Sequence, residues 1–299
     1  MTDADSRTIL SKGEGGGVRW EMATRQPRPR LAPFIRSMSG YAEAASWPVR
    51  RREFPAPLVV VIFDFGPPLR VFDVGSLATS ERFDGGFVAG LTDGFTMTEH
   101  QSSQAGLQLI LTPVGARRLL GMPLSELTNQ AVSVRDLLPR THRSFTERLV
   151  ELPSWAARFD LVEDLFEARL ARHELDLGGE VVAWAARHIE ASGGAIAARS
   201  LADELGYSHK HMIRLFRQHI GVAPKLYARI VRFDRLMTRL RSGDQSRWSE
   251  LALDLGYFDQ SHLSRDVRRF SGLTPTRLRA IDEPFGENVN FVQELSAVL

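Results

Sequence analysis

Residues 199–224 read RSLADELGYSHKHMIRLFRQHIGVAP, and residues 248–275 read WSELALDLGYFDQSHLSRDVRRFSGLTP. Leu201, Ala202, Leu205, Gly206 and Tyr207 return 50 residues later as Leu251, Ala252, Leu255, Gly256 and Tyr257. One residue is then added in the turn, and His211, Met212, Arg214, Gly221 and Pro224 return at a displacement of 51 as His262, Leu263, Arg265, Gly272 and Pro275. Ten correspondences with a single change of register mark an internal duplication.

Each copy has the grammar of a helix-turn-helix. In the first copy, Ser200 is the expected N-cap of a short helix that turns Leu201, Ala202 and Leu205 inward. Ala202 is small where two helices cross, and Gly206 supplies the tight turn. Ser208 then caps a second helix, with Met212, Leu215 and Phe216 facing the core. His209, Lys210, Ile213, Arg214 and Arg217 fall on or near its other side. Between the copies, 225–241 contains neither Pro nor Gly. As a helix it spans about 25 Å, a spacer suited to two helices that enter successive major grooves about 34 Å apart on one DNA face.

Charge distribution agrees with a polyanion partner better than net charge does. The formal net charge is only +2, yet from Gly206 to Arg235 the basic side chains are Lys210, Arg214, Arg217, Lys225, Arg229, Arg232 and Arg235, with Asp234 the only acid. A solvated helix face would look the same by charge alone.

At 299 residues the chain exceeds the usual size of one domain, and its 43% hydrophobic and 25% charged content is that of a soluble globular protein. It has no cysteine, which excludes disulfides, thiolate metal sites and cysteine nucleophiles. The N-terminus lacks the basic start and apolar run of a signal peptide, and no stretch reaches the ~18 apolar residues of a membrane helix. A cytoplasmic protein is therefore expected, with no membrane partner.

The N-terminal half follows another pattern. Residues 1–30 combine a Gly cluster at Gly13 and 15–17 with a Pro/Arg run, so a flexible arm is expected there. From 49 to 112, short runs rich in β-branched and aromatic residues alternate with turn residues: Leu58 to Gly66, Leu69 to Val74, Gly86 to Leu91, Phe95 to His100 and Leu107 to Thr112. They predict a small antiparallel barrel or sandwich. Helices follow around Val114 to Leu120 and over 141–152. Trp155, Phe159, Val162, Phe166 and Leu170 then form one apolar face, which fits either core packing or a dimer seam. Gly178-Gly179 is the expected hinge to the C-terminal half.

Catalytic motifs are missing from this half. Glu99 and His100 are neighbours, so on a strand they face opposite ways and do not readily chelate one ion. No Gly-x-Ser-x-Gly or His-Glu-x-x-His pattern occurs. Neither a metal nor another cofactor is expected, and an enzyme is not the expected reading.

GYFDQSHLSRDVRRFSGLTP resembles the second helix-turn-helix signature of AraC/XylS-type transcriptional regulators, and GYSHKHMIRLFRQHIGVAPKLYARIVRF resembles the first. The resemblance covers about 178–282. It implies that the second helix of each unit enters a major groove, with Lys210, Ile213 and Arg214 of unit one and Gln260, Ser261, Ser264 and Arg265 of unit two reading bases. Chemically, Arg214 and Arg265 suit guanine, Gln260 adenine and Ile213 a thymine methyl. Arg217, Arg268 and Arg269 are better suited to phosphates. Val267 stands where the family pattern has Phe, so a looser core is expected in unit two.

GYAEAASWPVRRREFPAPLVVVIFDFGPPLRV, FVAGL and LQLILTPVGARRLLGMPLSEL are similar to a sensor-like domain found ahead of some AraC-type DNA-binding domains. The resemblance implies an α+β protein: a cupin-like antiparallel β-barrel with trailing helices, then an all-α domain of two helix-turn-helix units joined by a linker helix. The expected division is 1–30 arm, 31–175 sensor, 178–282 DNA-binding domain and 283–299 tail. Implied partners are double-stranded DNA, RNA polymerase, a small-molecule or protein effector and a second copy of the chain. An architectural DNA-binding protein without ligand, or a cupin-type enzyme fused to a DNA-binding domain, are the rival readings.

Overall fold

The computed structural model describes residues 7–15, 18–45, 48–101, 103–137, 142–173, 177–196 and 198–280. The expected tail at 283–299 lies outside them. Eleven strands are described: β1 Thr8–Gly15, β2 Val18–Arg25, β3 Ile35–Ala45, β4 Val49–Glu53, β5 Val59–Asp64, β6 Leu69–Phe72, β7 Ser80–Phe83, β8 Phe87–Ala89, β9 Thr96–His100, β10 Ser103–Leu111 and β11 Ala131–Ser133. They form two antiparallel sheets, ordered β1-β2-β3-β10-β5-β8-β11 and β4-β9-β6-β7. Helices α1 Pro113–Leu120, α2 Val134–Leu137, α3 His142–Glu151 and α4 Trp155–Leu170 follow or interleave with the last strand, and a 3-10 turn covers Leu124–Leu127.

The C-terminal half is helical: α5 Leu177–Ala191, α6 Ala198–Glu204, α7 His209–Ile220, α8 Pro224–Arg241, α9 Trp248–Asp254, α10 Gln260–Ser271 and α11 Pro275–Arg279. The α+β composition and its order along the chain thus follow the sequence pattern. No helix among the described residues is long and apolar enough to cross a membrane.

The larger sheet shows why its strands read so clearly. Val59, Val61 and Phe63 on β5, and Leu107, Leu109 and Leu111 on β10, alternate onto one buried face. Helices cover that face: Phe145 of α3 packs against Phe63 with ring centroids 5.3 Å apart. On α4, Phe159, Val162 and Phe166 are fully buried within the chain. The apolar stripe of α4 is therefore part of the protein's own core.

The flexible arm expected over 1–30 is corrected for 7–15 and 18–30, while 1–6 and 16–17 lie outside the described residues. β1 pairs with β2 over its whole length, and β2 pairs with β3 from Val18↔Ala45 to Arg25↔Met38. Composition concealed this because the anchors are charged and their partners lie far along the chain. Arg25, almost fully buried, donates to the Ala156 carbonyl at 2.9 Å and to Asp160 at 2.7 Å. The Arg28 guanidinium bonds Asp164 at 2.6 Å and Glu167 at 3.2 Å, and its backbone N–H donates to the buried Glu163. The Arg/Pro run that looked like a polar tail is matched to an acidic edge of α4.

The Gly178-Gly179 hinge is also corrected, because both glycines lie in the first turn of α5. Apolar packing crosses the expected boundary as well. One buried cluster includes Phe63 and Leu109 of the sheet, Leu119 of α1, Ile189 of α5, Phe216 of α7, Phe233 of α8 and Phe270 of α10.

Candidate nucleic-acid interface

The two copies fold alike. Gly206 and Gly256 adopt φ of 69° and 76°, a left-handed turn open to glycine at little cost. The turn closes with matching bonds: the Tyr207 N–H donates to the Ala202 carbonyl at 2.9 Å, and the Tyr257 N–H to the Ala252 carbonyl at 2.8 Å. Ala202 and Ala252 are buried where the helices cross. Ser208 caps α7 by accepting from the His211 N–H at 3.2 Å. Asp259 caps α10 by accepting from the His262 N–H at 2.7 Å. Ser200 is not a cap, since it lies inside α6. Phe258, the residue by which the second turn is longer, is 88% exposed.

α8 joins the copies as an 18-residue helix, about 27 Å long at 1.5 Å per residue. Pro224 starts it, where a missing N–H costs nothing.

The outward faces of α7 and α10 carry most of the residues singled out by sequence. Lys210, Arg214 and Arg217 are exposed on α7, with Ile213 half-buried between them. Gln260, Ser261, Arg265 and Arg268 are exposed on α10. Several have internal partners. An Arg214 guanidinium nitrogen lies 3.3 Å from His211 Nδ1, Arg265 Nε donates to the Ser261 carbonyl at 3.4 Å, and the Ser264 hydroxyl donates to the Gln260 carbonyl at 2.8 Å. Arg269 forms an ion pair with Asp93, in the β8–β9 loop.

Two cations of the basic stretch face inward. Arg229 holds the buried Asp266 through Nη2 to Oδ1 at 2.7 Å and Nε to Oδ1 at 3.1 Å, and it stacks over Phe270 at 5.2 Å. Arg232 donates to the Gly194 carbonyl at 3.0 Å and lies over the Tyr257 ring at 5.2 Å. Both tie helices together, so part of the apparent electrostatic footprint is internal.

The looser core of unit two is not what the packing gives. Val267 is fully buried, and so is Phe270, whose ring lies 5.2 Å from Phe233. In register, Phe216-x-x-His219 of unit one answers to Val267-x-x-Phe270. The aromatic ring has moved one helical turn along the same face. Asp266 and Ser271 likewise replace Leu215 and Ile220. Ser271 is satisfied by donating to the Val267 carbonyl at 2.6 Å. Aligning the two copies at core positions would have exposed these exchanges.

In the N-terminal half, Glu99 and His100 face opposite ways on β9. Glu99 pairs with Arg50 and Arg70. His100 lies 3.8 Å from Glu43, which also pairs with Arg51 and accepts from Gln104 at 3.1 Å. Burial, then the neighbouring Arg51 guanidinium, holds His100 down at about 4. Burial also pushes the Glu53 carboxyl up to about 7 and that of Asp64 up to about 6.

Comparisons with known proteins find a separate match for each half. A helix-turn-helix domain family matches residues 201–281, and a domain of unknown function, DUF6597, matches 23–133. The HTH-type transcriptional activator RhaS of Escherichia fergusonii is 28% identical over 99 residues, 33% of this chain and 34% of that protein. An uncharacterized HTH-type transcriptional regulator of Haemophilus influenzae is 30% identical over 79 residues, 26% of each chain. The chain thus spans about a third or less of the length of these curated relatives. Among solved structures, ToxT of Vibrio cholerae aligns over 78% of this chain and 96% of its own, with 10% identity and a TM-score of 0.43. The C-terminal domain of AraT, a response regulator of Geobacillus stearothermophilus, aligns over 36% and 90%, with 22% identity and a TM-score of 0.32. Residues 201–281 are accordingly a helix-turn-helix domain of the AraC type, carried behind a domain of unknown function.

Proposed function

We propose that this chain is a sequence-specific DNA-binding transcriptional regulator whose N-terminal domain receives a small-molecule or protein signal. The observation that carries the reading is the pair of equivalent, capped helices α7 and α10. They present Arg214 and Arg265, 51 residues apart, to solvent. Lys210, Ile213 and Arg214 then read one major groove, and Gln260, Ser261, Ser264 and Arg265 the next. Arg217 and Arg268 contact phosphates, and Arg269 does so when it leaves Asp93. The protein acts in the cytoplasm and has no catalytic role. RNA polymerase and a second copy of the chain are its further partners, and its working units are an N-terminal one, which takes in β1 and β2 and extends to about 175, and a DNA-binding one over 178–282.

Selection of double-stranded fragments from a genomic library tests this, at physiological salt and with and without cell extract as a source of effector. Enrichment of a shared sequence supports the reading, and failure to enrich any sequence over random competitor overturns it. Arg214→Ala and Arg265→Ala should each cost about 1–3 kcal/mol and relax preference at one base position. An equal loss on every sequence would move that arginine to the phosphate-contacting group.

A further inference from the structure

The carboxy-terminal ends of the two recognition helices are held by the N-terminal half at equivalent places. α7 ends at Gly221 with φ of 99°, and α10 ends at Gly272 with φ of 71°. These are the same residue of the repeat, 51 positions apart. Both are points of close approach. A Cβ on Gly221 would stand 3.0 Å from the Leu124 carbonyl oxygen, and one on Gly272 would stand 2.5 Å from the Phe95 ring.

The last carbonyls of a helix lack partners within it. Here the N-terminal half supplies donors to them. The Thr128 hydroxyl donates to the Gly221 carbonyl at 2.6 Å. Arg52 Nη1 donates to the Ser271 carbonyl at 2.8 Å, one residue earlier in the repeat, and its guanidinium stacks on Phe95 at 4.2 Å. A cation at that end also complements the helix dipole. Beside it, Asp93 holds Arg269.

We infer that the N-terminal domain is a two-point clamp on the DNA-binding domain, gripping both recognition helices at their equivalent C-terminal glycines and thereby fixing the orientation of one reader relative to the other. The inference rests on the regulator reading above. Adjacent half-sites that differ by one base pair in spacing differ by roughly 3.4 Å in rise and about 35° in rotation. A held pair of readers accepts one spacing, whereas a pair joined only through α8 accepts its neighbours as well. On β4, Arg51 turns to Glu43 and Glu53 to Thr98, while Arg52 between them turns the opposite way to Ser271.

The test uses the full chain and a library in which the two selected half-sites are separated by every spacing over one helical turn. Wild type is expected to enrich one spacing. Thr128→Val combined with Arg52→Met is expected to enrich the same half-site sequences over several neighbouring spacings. Thr128→Val and Asp93→Asn alone, each a change of a single hydrogen-bonding group, are run beside it and are expected to broaden the distribution in part. They keep the test decisive if the double variant does not fold. Folded variants with the wild-type spacing distribution would overturn the clamp and leave the regulator reading intact. Failure of wild type to enrich any half-site would overturn both.

Discussion

Replacing Asp266 by Leu places in unit two the residue that unit one carries as Leu215, and the structure fixes what this should cost. Asp266 is buried and receives Arg229 through both Nε and Nη2. Removing one partner of a buried pair costs about 3–5 kcal/mol, chiefly because the remaining charge is left without compensation. The Arg229 side chain is 25% exposed, so its guanidinium keeps some water and the lower end applies. Burying Leu returns about 1.5–3 kcal/mol. The net expectation is a loss of about 1 kcal/mol, a fall of roughly 0.3–1 M in urea midpoint at unchanged slope. Arg229→Met with Asp266→Leu removes both charges and keeps an apolar contact on Phe270. It should lie within about 1 kcal/mol of wild type or above it. Equilibrium urea unfolding of the three proteins tests the account. It is refuted if Asp266→Leu unfolds at the wild-type midpoint, or if the double variant is no more stable than the single one.

Two further outcomes are expected. A Cβ on Gly40 would stand 2.2 Å from the Trp155 ring, which is anchored by a 2.6 Å bond from its Nε1 to Glu21. Gly40→Ala should therefore cost about 1–3 kcal/mol, and adding Trp155→Leu should recover part of it; no recovery in urea midpoint would mean that the strain lies elsewhere. Glu53, pushed up to about 7 by burial, keeps its proton in the folded state over a range where the unfolded chain, at about 4.5, has lost it. Its contribution is full below pH 4.5 and declines as pH rises through 7, on the order of 3 kcal/mol in all. The stability of wild type relative to Glu53→Gln should accordingly fall between pH 5 and pH 8, and a constant difference would show that Glu53 is ionised throughout.

The helical half was legible because its signals are local and repeated. Gly206 and Gly256, Ser208 and the alternation of apolar and exposed residues each act within one turn or helix, and duplication shows each signal twice. Strands β5 and β10 were legible because one face is wholly apolar. β1 and β2 were not, since pairing between strands leaves no local mark and their anchors, Arg25 and Arg28, find carboxylates more than 130 residues away. At the candidate site, sequence identified the exposed faces of α7 and α10 but not the ties behind them. Arg229, Arg232 and Arg269 look like free surface cations until their partners are known, and nothing near Thr128 or Arg52 points to a helix end in the other half.

The buried cluster that runs from Phe63 and Leu109 through Leu119 and Ile189 to Phe216 and Phe270 has a consequence for how the chain tolerates substitution. A core with no seam leaves no cutting point at which the N-terminal half could be exchanged for another without exposing apolar surface. Within this chain, substitutions on one side of that core are therefore expected to set what the other side tolerates.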